Sequence, residues 1–429
     1  MSSLGAQLPK ICSAIPGPNS IAAMDTISET ECPAITARRA RRAATMGVAS
    51  DDPVVWEQAR GANVVDVDGN RFVDFTSGFG VALVGHSHPR VVAAVQAQSA
   101  RLLHASGDAW PDITRAKLLK KLLSITPTGL DLAILGLSGS DAVEGAIKSA
   151  CLVTGRTKVL AFDGGYHGLQ LGALPLQGYK AAFREPFKGL LKQDQVIHLP
   201  FGADPQLIED TVRRASIGLV IVEPVLGRGG MVPAPKGWLG SLKSAAHHAG
   251  ALVGFDEIQT GMGRTGDWFA CAAEGVTPDL LMVGKALGGG LPISATIGTK
   301  DVMEAWGASK GEALHTQTFL GHPLGSAAAI AVLDLIQEEG LLARVRALST
   351  TLKNELTEAG FTVWGRGLML GVGLPKPNSA LAVSRALLQL GYFTLPAGKG
   401  LGLTPPAVLS TTQIDGFVQA LRAVTKRCT

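Results

Sequence analysis

Short apolar runs that stop abruptly in polar residues recur through the middle of this chain and constrain its fold more than any other feature. Between Leu130 and Lys285 five such runs occur: LDLAILGL, KVLAF, IGLVIVEP, ALVGFDE and LLMVGK. Uniformly apolar runs of this length, bounded by turn signals, read as strands buried on both faces, hence as a mostly parallel sheet flanked by helices. The intervening segments agree: SGSDAVEGAIKSACLVTG reads as a turn into a helix that stops at Gly155, and Trp238–Ala249 as a helix that stops at Gly250. The five runs end in Ser138-Gly139-Ser140, Asp163–His167, Glu223, Asp256 and Lys285. In open α/β sheets ligands sit outside the carboxyl ends of the strands, so these polar residues gather at one crevice.

The flanking regions read differently. Residues 1 to about 62 form an arm punctuated by Pro and Ser, with a helical segment at Thr36–Met46. NVVDVDGNRFVDFTSG is two alternating runs joined through Asp68-Gly69, a hairpin signal. Pro89 opens a helix over Arg90–Leu103, and His86 and His88 before it have no third ligand type nearby, so they take loop and capping roles. After Pro323 a long helix covers Ser326–Gln337 and stops near Gly340. The remainder, Ala343–Thr429, mixes helices with short strands, and the glycines of Trp364-Gly365-Arg366-Gly367 break its pattern. The expected division is 1–90, an arm and part of a small domain; 91–325, a large domain; and 326–429, the rest of a small α+β domain built from both chain ends.

Composition excludes several classes. Of 429 residues 46% are hydrophobic and 17% charged, which suits a folded enzyme with a large core. Net charge is +4, and the one basic cluster, Arg38-Arg39-Ala40-Arg41-Arg42, reads as a solvated helix face, so neither nucleic acid nor a membrane surface is the expected partner. The five cysteines are scattered without metal or disulfide spacing. No apolar run reaches the length of a membrane span, no secretory signal is recognised, and a cytoplasmic location is expected.

The strand ends suggest specific chemistry. Ser138-Gly139-Ser140 puts free backbone N–H groups at a helix N-terminus, a ready anion site suited to phosphate; a plain N-cap serine is the competing reading. Tyr166 follows Gly164-Gly165, where the backbone can bring a ring against a planar ligand, or it is a core tyrosine. Lys285 leaves a buried strand, so it is either a candidate Schiff-base amine with a depressed pKa or a lysine whose stem is buried and head solvated. Asp256, on the neighbouring strand, could hold a pyridine nitrogen protonated, which a pyridoxal phosphate site requires. Neither a P-loop nor a dinucleotide fingerprint is present.

Taken together, SGSDAVEGAIK, FDGGYHG, IVEP, FDEIQTGMGRTG, PDLLMVGKALGGGLP, HTQTFLGHP and GRGLMLGVGL resemble the motifs of class III (omega) aminotransferases of pyridoxal phosphate fold type I, close in pattern to 4-aminobutyrate and acetylornithine aminotransferases. The resemblance spans roughly Asp66 to Leu374, and PGPNS near the start also matches. It implies a homodimeric enzyme in which Lys285 forms the internal aldimine and shuttles the proton during nitrogen transfer between an amine or amino acid and a keto acid or aldehyde. Asp256 would pair with the pyridine nitrogen, with Gly139 and Ser140 at the phosphate and Tyr166 over the ring. Gln259 or Ile258 would lie beside the cofactor hydroxyl. Ser138, His167 and Glu223 complete the expected cofactor site. Thr318 matches the threonine that reaches the phosphate in the partner subunit. A racemase, epimerase or aminomutase on the same scaffold is the alternative.

Three positions depart from the family pattern. Members acting on glutamate usually carry an Arg before the Pro-Pro of the C-terminal strand to grip an α-carboxylate, and Gly402 stands there. They often carry a Glu gate five residues after the Glu-Pro motif, where this chain has Arg228. The frequent Asn of the phosphate helix is Val143. A missing guanidinium removes a bidentate grip on carboxylate, so Arg228, or Lys399 between Gly398 and Gly400, is a candidate replacement. Otherwise the substrate lacks that carboxylate.

Overall fold

Apolar runs and alternating runs settle into separate sheets in this protein, described by a computed structural model over residues 4–32, 54–192, 194–308, 311, 313–376 and 379–427. The basic cluster at Arg38–Arg42, the Thr36–Met46 segment and Cys428 lie outside the described residues.

In chain order, β1 (Trp56–Arg60), β2 (Asn63–Asp66) and β3 (Arg71–Asp74) form an antiparallel meander. The β2–β3 turn at Asp68-Gly69 is held by Asp66, whose Oδ1 accepts the N–H groups of Asp68 at 3.0 Å and Asn70 at 2.8 Å. His88 caps the helix Pro89–Ser99 by accepting the N–H of Arg90, and that helix ends four residues before the expected Leu103. His86 has a different role: its Nε2 lies 2.8 Å from the buried carboxylate of Asp74.

The next strands are β4 (Leu132–Gly136), β5 (Lys158–Phe162), β6 (Val196–Leu199), β7 (Ile217–Val222), the short ribbon β8 (Val225–Leu226) and β9 (Val232–Pro233), then β10 (Leu252–Asp256), β11 (Leu280–Val283) and β12 (Ser294–Gly298). Seven of them make the central sheet in the order β4-β12-β11-β10-β7-β5-β6, with only β12 antiparallel to its neighbours. Successive side chains point to opposite faces of a strand, and the core divides accordingly. Leu219 and Ile221 of β7 pack with Ala142, Val143 and Ala146 of the helix Gly139–Thr154. Val220 and Val222 face the side covered by Leu239 and Leu242 of the helix Trp238–His248. Each fully buried aliphatic side chain contributes about 1.5–3 kcal/mol relative to exposure, which makes this double coverage the main source of the sheet's stability. Strands β6 and β12 were not among the five apolar runs. β6 is a half-buried edge, and β12 buries Ser294 and Thr296, the latter donating to the carbonyl of Ala142 at 2.7 Å.

Towards the C-terminus come β13 (Val363–Arg366), β14 (Met369–Gly373), β15 (Tyr392–Phe393), β16 (Leu395–Ala397) and β17 (Gly400–Leu403). The sequence expectation of a break at Trp364-Gly365-Arg366 is corrected here, because these residues run within β13. Gly365, at φ 110°, allows β14 to approach so closely that a Cβ would lie 2.0 Å from the carbonyl oxygen of Met369. Strands β13, β14, β17 and β16 form one sheet in that order, while β15 pairs parallel to β3 and joins the N-terminal meander. The long helix begins at Pro323, runs to Glu338 and packs against the helices Pro89–Ser99 and Ile113–Leu123. The whole is α/β: a mostly parallel sheet flanked by helices, with smaller sheets fed from both chain ends.

Candidate active site

The carboxyl ends of β4, β5, β7, β10 and β11 converge as expected. A cavity of about 170 Å³ is lined there by Gly139, Ser140, Tyr166, His167, Gly168, Glu223, Asp256, Ile258, Gln259 and Lys285. Ser138 sits just behind it as N-cap of the helix Gly139–Thr154, accepting the N–H of Asp141 at 3.2 Å. The N–H groups of Gly139 and Ser140 in the first turn have no acceptor four residues back along the helix. Gly168, at φ 113°, closes on this turn: a Cβ there would lie 2.0 Å from the Oγ of Ser140. A larger residue would therefore displace the turn.

Asp256 and Glu257 end β10 and point opposite ways. Asp256 is buried at the cavity floor, 2.8 Å from Nδ1 of His167, and accepts the N–H of Ile258 at 3.1 Å. Glu257 turns into the core and accepts the N–H groups of Ala270 and Cys271, both at 2.8 Å, as a structural clamp. Burial pulls His167 down, but the hydrogen bond and charge of Asp256, with Glu223 adding, outweigh it and hold its pKa above the usual value. Glu223 accepts the N–H of Tyr166 at 2.8 Å and that of Gly227 at 3.1 Å. Burial raises its pKa to about 7 against the pull of His167, and the charge of Asp256 raises it further.

Lys285 takes φ 42°, a left-handed conformation uncommon outside glycine, and its Nζ donates to Oε1 of Gln259 at 3.2 Å. Burial lowers its pKa to about 8; the charges of Glu223 and Asp256 oppose this, and those of Arg228 and Arg264 reinforce it. The unprotonated fraction near neutral pH is thus far larger than for an ordinary lysine, and that is the state a nucleophile needs.

A second cavity, about 230 Å³, opens beside the first and shares Tyr166, Gln259 and Lys285 with it. Its other lining residues include Phe79, Tyr179, Arg228, Met231, Leu395, Pro396 and Ala397. Arg228 therefore lies in the site. Lys399 does not: it stands exposed in the β16–β17 turn and lines neither cavity. Gly402 is buried in β17, where a Cβ would lie 2.8 Å from Cβ of Ala397 and 3.0 Å from Cε of Met231. The space expected to be left open by the missing arginine is filled by Met231. Thr318 is exposed and also lines neither cavity.

Sequence reasoning missed Phe79, Met231 and Gly168. Phe79 belongs to a run, Ser77, Gly78 and Phe79, with φ of 48°, 56° and 64°, tied to the C-terminal segment by Ser77 Oγ donating to the carbonyl of Thr404 at 2.6 Å. Its flanking glycines, Gly78 and Gly80, were the available signal. Met231 left none, since its partner at 402 is remote in sequence.

Comparison with known proteins gives the family. The profile of the family Aminotransferase class-III matches residues 45–425. The chain is 37% identical over 386 residues to the acetylornithine aminotransferase of Methanopyrus kandleri, covering 88% of this chain and 97% of that one. It is 36% identical over 399 residues to the acetylornithine aminotransferase of Mycobacterium tuberculosis, covering 91% and 96%. Among solved structures, adenosylmethionine-8-amino-7-oxononanoate aminotransferase from Methanocaldococcus jannaschii superposes with a TM-score of 0.81 at 28% identity, over 87% of this chain and 93% of that one. An (S)-enantioselective omega-transaminase from Thermomicrobium roseum gives 0.81 at 26%, over 88% and 93%. The chain belongs to the class III aminotransferases. It is a pyridoxal 5'-phosphate-dependent transaminase, and these relatives favour nitrogen exchange over racemisation.

The residues of the first cavity fit that cofactor. Unpaired N–H groups at a helix start suit its phosphate. The buried Asp256 suits its ring nitrogen, and the half-buried Lys285, with its lowered pKa, suits its aldehyde.

Proposed function

We propose that this chain moves an amino group between an amino acid and a keto acid in the paired cavities, with Lys285 as the amine that holds the cofactor and carries the proton. The observation that supports this most is the position of Lys285 at the junction of the two cavities, one lined for a phosphate and a ring, the other for a substrate. When bound, the cofactor supplies an aldehyde that exchanges amines and a ring that takes up an electron pair. The residues do the rest. Gly139 and Ser140 would hold the phosphate, and Tyr166, Ile258 and Gln259 would line the ring's place. Asp256, oriented by His167, would keep the ring nitrogen protonated. Once displaced, Lys285 accepts a proton at Nζ on one side of the transfer and returns it on the other.

A homodimer is part of this reading, with Thr318 of each protomer reaching the cofactor phosphate held by the other; its exposed position supports that role. So is the division at residues 90 and 325, supported by β15 joining the N-terminal sheet. A cytoplasmic location is supported by the free thiols of Cys12, Cys32, Cys151 and Cys271.

Borohydride reduction of the purified yellow enzyme followed by peptide mapping tests the central assignment. The reduced cofactor should be found on Lys285, and Lys285→Ala should abolish the link while leaving the fold intact. Label on another lysine would overturn it.

A further inference from the structure

Arg228 is surrounded in a way that assigns it a substrate. Its Cζ lies 4.8 Å from the ring centroid of Tyr166 and 5.8 Å from that of Phe79. Two aromatic faces thus position the guanidinium by cation–π contact. Among the described residues no carboxylate lies within ion-pair distance of it. Such contacts hold the cation without occupying its N–H donors. Phe79 is held there by a backbone that is left-handed at three successive residues, a strain that needs a compensating role.

Much of the remaining lining is apolar. Met231, Leu395, Pro396 and Ala397 contribute to it, Tyr179 and Thr404 add hydroxyls, and among the described residues no acidic one lines the cavity. Met231 is itself at φ 59°, and its side chain reaches the space a residue at 402 would need. Among the described residues Lys285 and Arg228 are thus the only cationic side chains lining this cavity, and Lys285 is committed to the cofactor on the reading above.

We propose that Arg228 is the carboxylate-binding residue of this enzyme, and that its substrates are amino acids with a single carboxylate and an apolar body, together with their keto counterparts. The inference rests on the aminotransferase reading. The substrate carboxylate takes the bidentate, charge-assisted position on the guanidinium, and the apolar body packs on Met231, Leu395, Pro396 and Ala397. A second carboxylate would find no further cation in the described lining beyond the committed Lys285, which disfavours dicarboxylates. Specificity follows from both the relocated cation and the filled space.

Calorimetric titration of the holoenzyme with hexanoate and with glutarate tests this without turnover. Hexanoate should bind more tightly than glutarate, Arg228→Gln should weaken hexanoate by about 10- to 100-fold, and Arg228→Lys should restore part of the loss. Circular dichroism checks that the variants are folded. In steady state, leucine should be preferred to isopentylamine, the same skeleton without the carboxylate, and the preference should collapse in Arg228→Gln through KM. Unchanged hexanoate binding in Arg228→Gln, tighter binding of glutarate, or a wild-type preference for isopentylamine would each overturn the proposal. If no donor loses its amino group while hexanoate binding still depends on Arg228, the aminotransferase reading fails and the carboxylate site stands.

Discussion

The amine of Lys285 is the residue on which most of the chemistry turns, and its environment makes a direct prediction. Only the free base attacks an electrophile. A pKa lowered to about 8 from the usual 10.5 means reactivity rises with pH and is half-maximal near 8. Competitive acetylation of the cofactor-free protein, read residue by residue by mass spectrometry, should show Lys285 titrating there while exposed lysines titrate higher. A midpoint near 10.5 would contradict the burial account. Asp256→Ala should lower turnover by about 10²–10³-fold, the scale for loss of a preorganised electrostatic partner at a reacting centre. Wild-type rates in that variant would remove Asp256 from the role proposed for it. Both residues were legible in the sequence because each terminates an apolar run at the sheet's rim, although the rule does not separate Asp256 from Glu257 beside it, which turns into the core. Met231 was not. Its meaning depends on a contact with β17 that no local pattern encodes.

Among the elements, the hairpin β13–β14 has the least obvious link to the site. The indole of Trp364 donates to the carbonyl of Gly230 at 2.7 Å, tying the hairpin to the loop that carries Arg228 and Met231. The indole lies over Gly371, where a Cβ would come within 2.2 Å of its ring. Trp364→Phe should cost about 1 kcal/mol in urea unfolding through the lost hydrogen bond, and Gly371→Ala should cost more because the ring must move. Equal stability of the two variants would show that the indole is not held against Gly371. The strands of the large sheet were readable because burial on both faces leaves little compositional freedom. The small ones were not: β13 carries a glycine at φ 110° for close approach, and glycine reads as a break when the neighbouring strand is unknown.

At the scale of the whole molecule, an apolar face surrounds Thr318. Phe319 is 50% exposed, its ring 5.2 Å from His104, and Trp110, which shares a groove with His104, is 75% exposed. Large exposed rings grouped in this way mark association surfaces. On the homodimer reading proposed above, Trp110→Arg together with Phe319→Asp should yield monomers in sedimentation analysis, and an unchanged sedimentation coefficient would count against an interface on this face. The pairing of β15 with β3 acts on a different scale, that of time. Phe393 meets Asp74, and Gln413 near the C-terminus bonds the carbonyl of Gln7 near the N-terminus at 2.9 Å. A ribosome adding about 5–20 residues per second needs roughly 16–64 s to make the intervening chain. Throughout that interval the edge of β3 is paired by its own chain only at Arg71, where Lys10 bridges it, and the stretch from Val73 onward has no partner. Unpaired edges invite other strands, so the nascent protein carries an open seam until β15 has been made.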